Sequence, residues 1–408
     1  MMVLKGFSLG ELSSQMVKKM NSQIYLDYQS AKPTDPRVVK AITPFFHENF
    51  GNPSALHKIG DNATEALEAS RKTIAEYINA ETDEIVFTSG ATESINMAII
   101  GYALRNKKKG NHIVISEVEH ISIHNIAKYL ERNGFKVTKV PVDKYGMAHL
   151  DKLERRLTEE TILVSIGYAN NEIGTIQSIK DIGDLTRERG IAFHTDAVAA
   201  EGLLHLDVKR DNIDLMSLSS NDLYGPKGAG VLYMRRGYRV NPIIIGGGQE
   251  RGLRSGTENL TAIYGMKVAA EIMQKEMDKE VERFTRYRDR MIKQVLETIP
   301  DSHLNGHPTQ RLANNAHFRF DGIEGESILL SFKDLGVSVS TGSACSSKTL
   351  EPSHTLISTG LLHEEAHGSL QLTVGRFNKD DDIDRVLEAV PQVVERLRKL
   401  SPIYNPKR

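Results

Sequence analysis

Residues 84–104 read EIVFTSGATESINMAIIGYAL, and this stretch sets the fold. Ile85, Val86 and Phe87 make a short apolar, partly β-branched run, as a buried strand requires. The run ends in Thr88, Ser89 and Gly90, a glycine turn. From Ala91 onward the apolar residues suit a helix. The same unit then recurs. HIVIS (112–116), KVTKVPV (136–142), TILVSIGY (161–168), IAFHTD (191–196), DLMSL (214–218) and GVLYM (230–234) read as further strands. ISIHNIAKYLERNG (121–134) and SIKDIGDLTRERG (178–190) read as helices between them, each closing on glycine. Repeated βα units predict an α/β fold with a mostly parallel sheet covered by helices. Ligands of such sheets bind beyond the carboxyl ends of the strands.

Working outward, residues 61–80 form an amphipathic helix, and residues 257–299 read as one long or broken helix leading into a second domain. There NAHFRF (315–320) and GVSVS (336–340) suit strands, and residues 324–336 and 380–400 suit helices. The expected organisation is an N-terminal extension over 1–23, a large domain over 24–275 and a smaller α+β domain over 276–408. The first residues of the large domain are expected to pack with the small one. Lys107 to Lys109 read as a solvated helix end.

Composition narrows the function classes. The formal net charge is -1, which gives no global footprint for nucleic acid. No apolar run reaches the length of a membrane span, and residues 1–23 lack the apolar core and cleavage site of a signal peptide. A cytoplasmic protein with a short extension is the expectation, with Met20 an alternative start. Cys345 is the one cysteine among 408 residues, so an intrachain disulfide and a multi-thiolate zinc site are both excluded. Cys345 is either a small core residue or a working thiol; its setting in VSTGSACSSK (339–348), small and polar, suits a mobile reactive loop.

Several strand ends carry polar groups. Free N–H groups and hydroxyls in TSGATES (88–94) would hold a phosphate, although Ser and Thr are also ordinary caps. Asp196 ends another strand; its carboxylate could pair with a protonated ring nitrogen or a metal, or cap the next turn. His120 and the pair Asn170 and Asn171 mark two more ends. Together they predict a cofactor pocket.

In order, GNPSALH (51–57), TSGATES, EVEH (117–120), NNEIGT (170–175), HTDA (194–197), YGPKGAG (224–230), GGGQERGLRSGT (246–257), LNGHP (304–308), EGES (324–327), STGSACSS (340–347), LEPSH (350–354) and VGRF (374–377) resemble the motifs of cysteine desulfurases of the iron-sulfur-cluster and nitrogen-fixation type. The likeness runs from Ile24 to Tyr404. It implies the fold-type I architecture of pyridoxal phosphate (PLP) transferases, with a seven-stranded sheet, and a homodimer. It also implies site roles. Ala91, Thr92, Ser219 and, from the dimer partner, Thr257 would hold the cofactor phosphate. His120 would stack on the ring, Asp196 would pair with its nitrogen, and Asn171 would lie near its phenolic oxygen. Cys345 would take sulfur from L-cysteine as a persulfide and pass it to an iron-sulfur scaffold protein.

The chain departs from that pattern in the cofactor site. The family carries His-Lys before YGPKG, the lysine holding the cofactor as a Schiff base; here Asn221 and Asp222 stand there. Ala199 replaces a glutamine, and Gln371 in SLQLTVGR (369–376) replaces an arginine that clamps the substrate carboxylate, while Arg376 keeps the second basic position. Loss of a positioned acid–base group typically costs about 10²- to 10⁴-fold, and loss of a buried charged clamp about 2–5 kcal/mol. Weak or altered desulfuration with non-covalent PLP is therefore expected. Proton transfer would fall to Asp222 or His120. Lys227 matches a lysine the family already has; Lys32, in YQSAKP (28–33), would restore a positive charge for substrate or reach the cofactor itself, or else is a surface lysine. The alternative is a non-catalytic scaffold partner or sulfur carrier, in which Cys345 accepts sulfide or acts as one metal ligand of a transient iron-sulfur cluster, the others coming from a partner.

Overall fold

A computed structural model describes residues 23–341 and 352–404. The expectations for residues 1–22 and for Cys345 lie outside the described residues. Seven strands form the main sheet: β1 (Ile85–Thr88), β2 (His112–Ser116), β3 (Lys136–Val140), β4 (Thr161–Ser165), β5 (Ala192–Asp196), β6 (Leu215–Ser219) and β7 (Gly230–Met234). Their spatial order is β1-β7-β6-β5-β4-β2-β3. Five neighbours, β3-β2-β4-β5-β6, run parallel, and β7 lies antiparallel between β6 and β1. This is the mostly parallel α/β sheet that the resemblance implies. β3 is the edge strand and stops at Val140, just before Pro141.

Sheet interiors exclude charge. β1, β2 and β4 are buried at every position. The histidine inside β5, His194, is fully buried between Ser165 (2.8 Å) and Ser217 (3.1 Å). Burial depresses its pKa to about 3, so it is neutral.

α1 (Lys58–Tyr77) packs on the long α2 (Leu260–Thr298). Asn259 caps α2, its Oδ1 accepting from the Ala262 N–H. Leu260 to Met277 on α2 face the first core, and Phe284 to Val295 face a second one; Val281 touches both. The second core also holds a three-stranded antiparallel sheet of β8 (Ser302–Leu304), β9 (Asn315–Phe320) and β10 (Ser369–Thr373), with α3 (Gly325–Asp334) and α4 (Asp380–Leu400) against it. Ile24 and Leu26 are buried there, and Ile24–Tyr25 pairs in parallel with Val337–Ser338. The chain thus enters the second core before building the first.

Two buried polar anchors hold loops near the sheet. Arg71 on α1 grips Glu250 through two bonds of 2.7 and 2.8 Å. Glu250 also accepts the Phe87 N–H of β1 at 2.8 Å. The second anchor is Glu172. Its Oε2 accepts from Ser353 Oγ at 2.6 Å, while Oε1 is buried without a hydrogen-bond partner and lies 3.8 Å from His317 Nε2. That contact is not an ion pair, because burial lowers His317 to a pKa of about 3. Burial raises Glu172 to about 7, the Ser353 and Thr355 hydrogen bonds opposing it.

These anchors generate two tests. Glu250→Ala leaves the buried Arg71 with only the half-exposed Glu68, at 3.1 Å, as its ionic partner and should cost about 3 kcal/mol in denaturant unfolding, the low end for breaking a buried pair. For Glu172 the folded pKa lies above the unfolded one. Its stabilising effect is present below the unfolded value near 4.5 and is lost as pH rises through about 7. Glu172→Gln should therefore gain stability relative to the parent as pH rises between those values, by about 3 kcal/mol; a pH-independent difference would reject the assignment.

Candidate active site

The carboxyl ends of β2, β4, β5 and β6 converge on a cavity of about 240 Å³. Its wall includes Glu119, His120, Asn171, Asp196, Ala199 and Asp222, with Asn221 beside them. Ala91, Thr92, Ser219, Thr257 and Gln371 lie outside that wall.

Each strand end presents its groups by local chemistry. After β1, the chain turns at Ser89 and Gly90 into the helix that starts at Ala91. No side chain caps that helix at Gly90, which leaves its first N–H groups without intrahelical acceptors. Glycine at 230 permits the turn: a Cβ there would sit 2.5 Å from the Gly90 Cα. Glu93 accepts the Ser89 N–H at 2.9 Å and pairs with Arg254 at 2.9 Å. Arg254 is thereby tied to the turn.

After β2, Glu119 turns inward and accepts from Ser116 Oγ at 2.6 Å and from the Gly167 N–H at 3.0 Å. Burial raises its pKa to about 7, with Asp196 adding repulsion. His120 caps the following helix: Nδ1 accepts the Ser122 N–H at 3.2 Å. That bond leaves the ring proton of the neutral tautomer on Nε2, and desolvation lowers the His120 pKa. His120 is nonetheless exposed toward the open side of the cavity.

After β4, Asn170 closes its own turn, its Oδ1 accepting from Glu172 and Ile173 N–H at 2.9 Å each. Gln371 on β10 is buried behind this turn and donates to the Asn171 and Glu172 carbonyls at 2.8 and 2.9 Å. Gln371 therefore spends its amide on the loop. Arg376 is likewise engaged, with Asp35 at 2.6 Å, Glu280 at 2.7 Å and the Tyr224 ring at 4.5 Å.

After β5, Asp196 accepts the Val198 N–H at 3.1 Å. Burial raises its pKa to about 6, and Asp222 adds repulsion. After β6, a single turn over Ser220–Leu223 ends at Tyr224, whose φ of 61° is left-handed. This turn carries Asn221 and Asp222 to the cavity. Lys32 is buried, 6% exposed, and donates to the Asp222 carbonyl at 2.6 Å; it is not a surface lysine. Lys227 is exposed.

Sequence reasoning missed Glu119 and Glu201. Glu201 is fully buried; its Oε2 accepts the Ser219 N–H at 2.7 Å and its Oε1 has no hydrogen-bond partner. Its pKa is held well above normal by burial and by Asp222. Glu119 sat inside EVEH, beside the histidine that drew attention; Glu201 had no local signal.

Comparison with known proteins agrees with this geometry. The Aminotransferase class-V family model matches residues 24–386. Cysteine desulfurase IscS 1 of Archaeoglobus fulgidus is 55% identical over 381 residues, covering 93% of this chain and 99% of that protein. Cysteine desulfurase IscS of Methanosarcina thermophila is 49% identical, covering 95% and 96%. Among solved structures, a NifS-like protein superposes with a TM-score of 0.86 at 32% identity, covering 92% of this chain and 100% of that one. SspA in complex with cysteine gives 0.77 at 33% identity, covering 86% and 98%. With its parallel sheet, its cavity at the strand ends and a match spanning nearly the whole chain, this protein belongs to the class-V aminotransferase family, in its IscS/NifS-like cysteine desulfurase branch.

Proposed function

We propose that the chain is an atypical desulfurase-like protein of iron-sulfur cluster assembly. Cys345 takes the sulfur of L-cysteine as a persulfide and passes it to a scaffold protein, slowly, because Asp222 stands where the family has its cofactor lysine. The carrying observation is the cavity itself: Asp196, His120 and Asp222 share its wall, and no lysine among the described residues does.

The family's cofactor is PLP, and the residues fit it without a covalent link. Asp196 is a buried carboxylate with an unusual appetite for a proton, the partner a pyridinium nitrogen needs. Uncapped N–H groups at Ala91 and Thr92 suit a phosphate; Ser219 and Thr257 of the partner subunit would complete that hold. When bound, PLP withdraws electrons from a substrate carbon. His120 would stack on the ring, Asn171 would meet its oxygen, and Ala199 would contribute no hydrogen bond. Asp222 would hold or release a proton at its carboxylate.

This reading includes a homodimer and a domain boundary near residue 275, with the Cys345 loop in the second domain. The change of core along α2 supports the boundary. Asp222 also favours a second reading, a carrier or scaffold partner whose Cys345 takes the outer sulfur of another enzyme's persulfide, leaving that enzyme its thiol, or ligates a nascent cluster.

Sulfide and alanine formation from L-cysteine, with PLP and a reductant added, decides between them. Slow turnover abolished by Cys345→Ser is expected; no turnover from folded, PLP-binding protein leaves the carrier. Separately, PLP should be removable by gel filtration, and Asp196→Asn should weaken its binding roughly 10- to 100-fold, the worth of a charge-assisted hydrogen bond. Retention of PLP after denaturation would contradict non-covalent binding.

A further inference from the structure

Lys32 reaches the Asp222 turn from outside the cavity. Its ammonium donates to the Asp222 carbonyl at 2.6 Å, lies 3.8 Å from Asp222 Oδ1 and stands 5.3 Å from the centre of the Tyr224 ring. Both side chains are nearly closed to solvent, 7% and 9% exposed. Asp222 forms part of the cavity wall and Lys32 does not. The pair thus meets the cavity through Asp222, with the amine behind it.

The surroundings make this amine a required charge. Asp196 on β5 and Glu201 after it both repel the Asp222 carboxylate; Lys32 and the more distant Lys227 attract it. Around Lys32 the attracting groups are Asp222, Glu201 and Glu280, and Arg376 repels. Arg376 is already committed to Asp35 and Glu280. Lys32 is therefore the cation in direct contact with Asp222. With the pair intact, burial already raises the Asp222 pKa against the pull of Lys32 and lowers that of Lys32 itself; without the amine, burial and two neighbouring carboxylates would drive Asp222 further toward its neutral form.

We propose that Lys32 is a positioning residue that clamps the Ser220–Leu223 turn through the Asp222 carbonyl and keeps the Asp222 carboxylate ionised toward the cavity, where it serves as base. This rests on the reading of Asp222 as a proton-transfer group. The amine the family presents inside the site has here a counterpart outside the wall, as an electrostatic support and not as a point of attachment.

The test uses the full chain and the variants Lys32→Met, Lys32→Arg and Asp222→Asn. Carbon-13 carboxyl NMR of aspartate-labelled protein follows the Asp222 titration, assigned by its loss in Asp222→Asn. Removing an opposite charge at this range should raise the Asp222 pKa by about 1–3 units in Lys32→Met, and Lys32→Arg should return it. An unchanged titration overturns the proposal, as does borohydride reduction of the PLP-loaded protein that leaves cofactor on the Lys32 peptide. The titration is independent of turnover. If it shifts as expected while no variant or parent consumes L-cysteine, Lys32 keeps its positioning role and the desulfurase reading fails. Where turnover is measurable, the pH at which it rises should move with the Asp222 titration. If Lys32→Met alone does not fold, the double variant Lys32→Met/Asp222→Asn removes both charges: recovery of folding supports the pair, and failure to recover overturns it.

Discussion

Buried charge needs a partner within reach, and in this protein that need shapes everything around the cavity. Both faces of a parallel sheet are covered, so its interior tolerates only neutral polar groups such as His194 between two serines. Ionisable groups are displaced to the carboxyl ends of the strands. There Asp196, Glu201 and Asp222 crowd together with the Lys32 ammonium among them. Raised proton affinities at Asp196 and Glu201 are the physical consequence of three carboxylates sharing so little positive charge. The same crowding fixes geometry, because Asp196 also accepts the Val198 N–H and Glu201 the Ser219 N–H.

The polar groups around the cavity form one connected arrangement. Asp222 is part of the wall, which among the described residues holds no lysine, and Lys32 lies just behind it. Gln371 is neutral and turned away, holding the Asn171–Glu172 turn by its carbonyls. Arg376 is held by Asp35, Glu280 and Tyr224. The cavity that results is polar but rich in acceptors, with positive charge kept in its surroundings. That arrangement suits holding a protonated heterocycle better than seizing a free carboxylate.

Much of this was legible in the sequence. All seven strands of the main sheet follow from short apolar runs ending at polar turns, and the helices between them from spacing and glycine stops. Small differences remain: the strand at 136–140 ends before Pro141, and GVSVS forms a strand only at Val337–Ser338, with Ser340 bridging Gln371. The strand-end polar residues His120, Asn171, Asp196 and Asp222 were found because strand ends are local features. Lys32 and Glu201 were harder. Lys32 and its acceptor are 190 positions apart, and Glu201 faces Ser219 across a β-strand crossover. Nothing in the local chain marks a lysine or a glutamate as buried; only the meeting of distant segments does. Gln371 was legible as a substitution but not as a buttress, for the same reason.

The long helix α2 carries a consequence for the way the molecule comes apart. Its 39 residues belong to both cores, and an α-helix of that length measures about 58 Å. One continuous ladder of hydrogen bonds therefore runs from beneath the main sheet to the antiparallel one. Neither core can melt alone without exposing half of that ladder's apolar face to water. Heating should accordingly meet a single cooperative transition shared by both regions, with amide protons in the middle of α2 among the last to exchange.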